Sequence, residues 1–156
     1  VYACVPFVSE ETAKSLGVTL VDMETLFREC DVISNHLANK PELENVFNYK
    51  LFKKMKKRST FINTGRGAQV AEYSLALSLL LHPSRTFVAD VLKKEMFPYI
   101  NPLFWVPNAI ITPHIAGSSG KEIHRMAQYM IDEFLLYAGD KQTRYEVTLE
   151  SLEHMA

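Results

Sequence analysis

Short apolar runs alternate along the chain with stretches of helical spacing, the order expected of strands and crossover helices in a parallel α/β sheet. The pattern predicts strands at residues 1–4, 18–21, 31–36, 60–63, 87–91 and 109–112. Between them, Ser9, Asp22 and Asn48 stand where N-caps are wanted, ahead of helices over 10–16, 23–30 and 49–55. Gly17 follows the first of these, in the position that favours a left-handed residue. A fourth helix is expected over 72–81. The last and longest runs from 122 to 138, with Ser119 and Glu122 as a capping box and Gly139 as its stop. Ile123, Met126, Ala127, Met130, Ile131, Phe134, Leu135 and Ala138 recur on one face of it, which predicts a buried stripe.

Composition narrows the class. Of 156 residues, 47% are hydrophobic and 22% charged, which suits a folded globular domain rather than a disordered chain. A formal charge of −1 provides no global field toward nucleic acid or an anionic membrane. The run KKMKKR (residues 53–58) reads as the solvated last turn of a helix, where cations suit the dipole. No apolar run reaches the length of a membrane span. Cys4 and Cys30 are too few for a disulfide framework and read as small hydrophobes of a reducing, cytoplasmic setting. His36, His82, His114, His124 and His154 show no metal-ligand spacing, so no metal site is expected. The chain opens at Val1 inside a strand, and is expected to be part of a longer protein.

Polar residues gather at the C-terminal ends of four predicted strands: Asn35-His36, Asn63-Thr64-Gly65-Arg66, Asp90 and Thr112-Pro113-His114. In an open parallel sheet those ends line the ligand crevice. Arg66 lies between two glycines that let the backbone approach a ligand, and its guanidinium matches a carboxylate. The competing, less favoured reading is a surface arginine in a tight turn. His114 can exchange a proton near neutral pH, or serve as a structural histidine held by backbone. Glu95 has no local merit by itself; paired with His114 it would orient the imidazole and raise its pKa.

The stretches INTGRGAQV (residues 62–70), ADV with the glutamate that follows it, and VPNAIITPHIAG (residues 106–117) resemble the signatures of the D-isomer-specific 2-hydroxyacid dehydrogenases, the phosphoglycerate dehydrogenase-like group. The resemblance runs from residue 1 to about residue 138; residues 139–156 form a C-terminal tail, whose stretch YEVTLESLEHMA (residues 145–156) looks like the C-terminus of one subgroup. It implies a Rossmann-like, doubly wound parallel sheet and hydride transfer between NAD(H) and a small 2-hydroxy or 2-keto acid. By that resemblance Arg66 binds the substrate carboxylate, His114 exchanges the proton and Glu95, five residues beyond Asp90, orients the histidine. Asp90 falls on the position that binds the nicotinamide carboxamide. Ile33, Ala38, Thr64, Gly65, Arg66, His114 and Gly117 fall on the remaining cofactor-contacting positions, largely through backbone. The resemblance also implies a homodimer when the polypeptide is complete.

The departures concern the cofactor most. No G-x-G-x-x-G occurs, so the first strand and its pyrophosphate loop are absent from this stretch. Val5 occupies the position where an acidic residue usually meets the ribose, so NADP stays open beside NAD. Met96, His82-Pro83 and Ala71 also differ from the usual residues, and the loop between Glu95 and His114 is short. In the strand order 3-2-1-4-5-6 the absent strand is central, so the sheet is expected to break there. The segment in isolation is expected to be inactive and to fold poorly or aggregate. Two alternatives to a working dehydrogenase are a non-catalytic NAD-responsive module, as in co-repressors of this fold, and an inactive truncated product.

Overall fold

The computed structural model describes residues 1–5, 8–96 and 98–152. Pro6, Phe97 and the last four residues of the tail lie outside the described residues. The chain forms two compact units, Val1–His114 and Ile115–Ala156.

Among the described residues the first unit carries six strands: β1 (Tyr2–Ala3), β2 (Thr19–Leu20), β3 (Val32–Asn35), β4 (Thr60–Asn63), β5 (Thr86–Ala89) and β6 (Ala109–Ile111). They make two sheets. β1 pairs with β2, and β3-β4-β5-β6 form a second sheet, every pair parallel. The break falls between the first strand pair and the rest, where the order 3-2-1-4-5-6 puts its central strand.

Helices α1 (Glu10–Ser15), α2 (Met23–Glu29), α3 (Tyr49–Lys54) and α4 (Glu72–Leu81) connect the strands. Three of them start at the caps read from sequence. Ser9 Oγ accepts from Thr12 N, Asp22 Oδ1 from Thr25 N and Asn48 Oδ1 from Lys50 N. Each such cap is worth ~1 kcal/mol. Gly17 takes the left-handed conformation at φ 67°, closing α1.

Register builds the core. Ile33, Phe61 and Phe87 are side by side across β3, β4 and β5, and all three are buried. Phe27 of α2, Phe52 of α3 and Phe47 just before α3 pack on them, with ring centroids 5.1–6.1 Å apart around Phe61. Burying a Phe stabilises by ~2–3 kcal/mol, so this cluster anchors the sheet's helical face. The next row toward the C-terminal end is Asn35, Asn63 and Ala89, so the same register puts two buried amides beside the crevice.

In the second unit α5 (Lys121–Ala138) departs from its expected start and burial. Gly120 is its N-cap, at φ 55°, with no side-chain cap. The helix begins one residue too late for the Ser119–Glu122 box, which would need Ser119 itself as the N-cap. The Ser119 carbonyl accepts from Glu122 N instead, and the Glu122 carboxylate pairs with Arg125. Gly139 ends the helix, with Asp140 taking the left-handed turn after it. The stripe expected to be buried is exposed: Met130, Phe134 and Leu135 are each more than 60% accessible. Periodicity specifies a face that needs covering; among the described residues of this unit the segment after Gly139 packs beside that stripe, through Tyr129–Tyr145 and Glu133 with the backbone of Arg144.

Candidate active site

β4 ends at Asn63, and the chain turns through Thr64, Gly65 and Arg66 into a 3₁₀ turn at Gly67–Gln69. Asn63 organises this turn. Its Oδ1 accepts from Gly65 N at 3.1 Å and its Nδ2 donates to the Arg66 carbonyl at 3.2 Å. The Arg66 side chain is exposed and folds back on the Gly65 carbonyl at 2.9 Å, leaving the guanidinium at the open edge. Gly67 is dictated by crowding: a Cβ there would stand 2.0 Å from the Leu92 carbonyl carbon. Absence of a side chain thus lets the arginine turn lie directly against the loop that leads to Glu95.

β5 delivers Asp90, 5% exposed, whose backbone N–H donates to the Asn63 carbonyl at 3.0 Å. The Thr112 hydroxyl donates to Asp90 Oδ1 from the end of β6. Beyond Thr112, Pro113 makes a tight turn in which His114 N donates to the Thr112 carbonyl at 3.0 Å. His114 itself has φ 53°, a left-handed conformation uncommon outside glycine. This turn aims the imidazole at the Glu95 loop. His114 Nδ1 donates to Glu95 Oε2 at 2.9 Å, and Glu95 Oε1 accepts from Leu92 N.

The Glu95 hydrogen bond and charge hold the His114 pKa above the ordinary imidazole value. Asp90 adds to the rise and the Arg66 guanidinium opposes it, so all four charged groups act at one place. With Nδ1 committed to Glu95, Nε2 is the nitrogen left to exchange a proton. Beside the pair is a cavity of about 200 Å³ lined by Asp90, Leu92, Glu95, Phe104, Ile111 and His114. Its walls are mostly apolar, and the imidazole beside them is open to solvent.

The other positions that the resemblance assigns to the cofactor are more scattered. Thr64 and Gly65 are in the Arg66 turn, and Ala38 is in the turn after β3. Ile33 is mid-strand with its side chain in the core, so only its backbone is left to meet a ligand. Val5 is half-buried beyond β1. Gly117, at φ 122°, belongs to the second unit. Among the described residues no three His, Cys, Asp or Glu side chains converge as for a metal, and no helix is long and apolar enough to cross a membrane. Both cysteines are free and half-buried.

Two features escaped the sequence reading. Gln69, 1% exposed, joins Asn35 and Asn63 in a buried amide cluster under the Arg66 turn. Arg85, 6% exposed, donates to the carbonyls of Phe52, Lys53, Met55 and Lys56 at the end of α3. Only the polar type of these residues gave a signal, because their partners are about 30 residues away.

A parallel sheet that gathers an arginine, a carboxylate–imidazole pair and a buried aspartate at its C-terminal edge has the arrangement of a nucleotide-binding α/β domain. Residues 1–116 match the NAD-binding domain of the D-isomer-specific 2-hydroxyacid dehydrogenases, and the chain belongs to that family. It is 33% identical over 148 residues to a D-3-phosphoglycerate dehydrogenase of Archaeoglobus fulgidus, covering 95% of this chain and 28% of that protein. It is 32% identical over 114 residues to glyoxylate/hydroxypyruvate reductase B of Escherichia fergusonii, covering 73% of this chain and 35% of that protein. The fold superposes with TM-score 0.81 and 27% identity on a D-isomer-specific 2-hydroxyacid dehydrogenase of Lactobacillus delbrueckii solved with NAD, over 95% of this chain and 48% of that one. The chain therefore spans less than half the length of these relatives.

Proposed function

We propose that this chain provides the nicotinamide end and the acid–base half of an enzyme that interconverts a small 2-keto acid and its 2-hydroxy acid. The observation that carries the reading is the His114 Nδ1–Glu95 Oε2 bond of 2.9 Å, held at one sheet edge with Arg66 and Asp90.

The residues fit the nicotinamide. Asp90 is a buried carboxylate facing a cavity with apolar walls, which suits a flat ring bearing an amide donor. Thr64, Gly65 and Ala38 would meet the rest of the cofactor through backbone. No stretch of this chain has the glycine pattern that cradles a pyrophosphate. When bound, the nicotinamide supplies the hydride to the keto carbon, or accepts it in reverse.

The chain's own groups do the rest. Arg66 grips the substrate carboxylate, fixing the keto carbon beside the cavity. His114 Nε2 holds a proton toward the keto oxygen and releases it as that carbon becomes tetrahedral. Glu95 keeps Nδ1 occupied and stabilises the imidazolium that must be present before reduction. The same reading carries a cytoplasmic homodimer as the working form.

Replacing Arg66 tests it. In the complete polypeptide, Arg66→Gln is expected to lower kcat/KM for small 2-keto acids with NADH by roughly tenfold to hundredfold, the value of a charged hydrogen bond. Unchanged kcat/KM would remove the carboxylate role.

A further inference from the structure

We propose that Gln69 and Asn35 form a positioning pair that couples the turn after β3 to the Arg66 turn after β4, so that ligand contacts at one turn strengthen those at the other. The inference rests on the dehydrogenase reading above.

The geometry is a closed chain of amides. Gln69 Oε1 accepts from Asn35 Nδ2 at 2.7 Å, and Gln69 Nε2 donates to the Ala38 carbonyl at 2.7 Å and the Leu37 carbonyl at 3.3 Å. Asn35 Oδ1 accepts from Leu37 N at 3.0 Å, while its Nδ2 also donates to Asn63 Oδ1 at 2.9 Å. That Asn63 oxygen holds Gly65 N, and the other end of the Asn63 amide holds the Arg66 carbonyl. Both amide hydrogens of Asn35 and both of Gln69 are thus used. Rotating the Gln69 amide releases the turn after β3 from the segment that follows Arg66, and rotating the Asn35 amide also releases the Asn63 amide that holds the Arg66 turn.

Gly65 belongs to the device. A Cβ there would stand 2.8 Å from Asn35 Nδ2, so the glycine leaves room for the amide that locks its own turn. Filling space does not require this arrangement. Two apolar side chains of similar volume fill a core as well, and replacing both partners of a buried hydrogen bond is close to neutral. The carbonyls of Leu37 and Ala38 are in half-buried residues, where water can serve them. What amides add is direction: they hold two ligand-facing turns in one fixed relation.

The test uses the complete polypeptide and measures the NADH Kd by fluorescence, with and without oxamate as the carboxylate-bearing partner. Wild type is expected to bind NADH several-fold more tightly when oxamate is present, within the roughly 5–150-fold range of coupled sites. In Gln69→Met that ratio is expected to fall to about one, with KM for 2-keto acids raised roughly tenfold or more. The alkaline limb of the pH profile stays in place, because Glu95 and His114 are untouched. Asn35→Leu combined with Gln69→Met is expected to recover the Tm lost in either single variant while the ratio stays at one.

A Gln69→Met protein that keeps the wild-type ratio would overturn the coupling alone. So would a double variant that recovers both Tm and ratio, which would mark the pair as packing. Wild type that neither binds NADH nor turns over 2-keto acids would overturn the functional reading and the coupling with it.

Discussion

His114 combines an uncommon backbone with a specific partner. Its left-handed φ of 53° costs of order 1 kcal/mol, and strain of that kind persists where the surroundings over-determine it. Here Pro113 and the Thr112 carbonyl set the turn and Glu95 holds the ring. Glu95 raises the folded-state pKa above the ordinary value of ~6.5. The sign of the linkage follows: the bond's contribution is complete below the ordinary value and is lost as pH rises through the raised one. Reduction needs the imidazolium, so kcat/KM for a 2-keto acid is expected to fall on an alkaline limb above the ordinary histidine range. Glu95→Gln removes the largest cause of the rise while Arg66 still opposes it, so the limb moves to lower pH. A limb that stays in place would show that Glu95 does not set the titration of His114.

Among the elements, local signals were legible and long-range polar partners were not. The strand over Thr60–Asn63 and the helix over Glu72–Leu81 have the bounds that period and flanking residues predicted, because both signals are local. Ser9, Asp22 and Asn48 cap their helices for the same reason. The Ser119–Glu122 box had equally good spacing and lost to a one-residue shift of the helix start. Arg85 was invisible because it sits in an ordinary loop, and its acceptors arrive from the end of α3. Those carbonyls are the orphan groups of a helix C-terminus, where a cation suits the dipole. Arg85→Met is expected to destabilise the protein by about 3 kcal/mol, since buried carbonyls lose a charged donor. The denaturation midpoint measures this, and a change within about 0.5 kcal/mol would place Arg85 among ordinary surface residues.

At the scale of the molecule, the sheet edge and its chemistry are complete where the strands are continuous. β3 to β6 end side by side at Asn35, Asn63, Asp90 and Thr112, and the residues proposed as catalytic follow these strand ends. Among the described residues β1 and β3 each have one strand neighbour, and the apolar stripe of α5 is uncovered. The family resemblance implied the break in the sheet, because strand order is a property of the fold class. It could not say what covers α5, because amphipathicity specifies a face and not a partner. The central claim is that His114, held by Glu95, delivers the proton for keto-acid reduction. Its most direct test is the His114→Asn variant of the complete polypeptide, assayed with NADH and a small 2-keto acid alongside NADH binding. The account predicts a loss of roughly 10²–10⁴ in kcat/KM with the NADH Kd little changed. Retention of wild-type kcat/KM by that variant would contradict it.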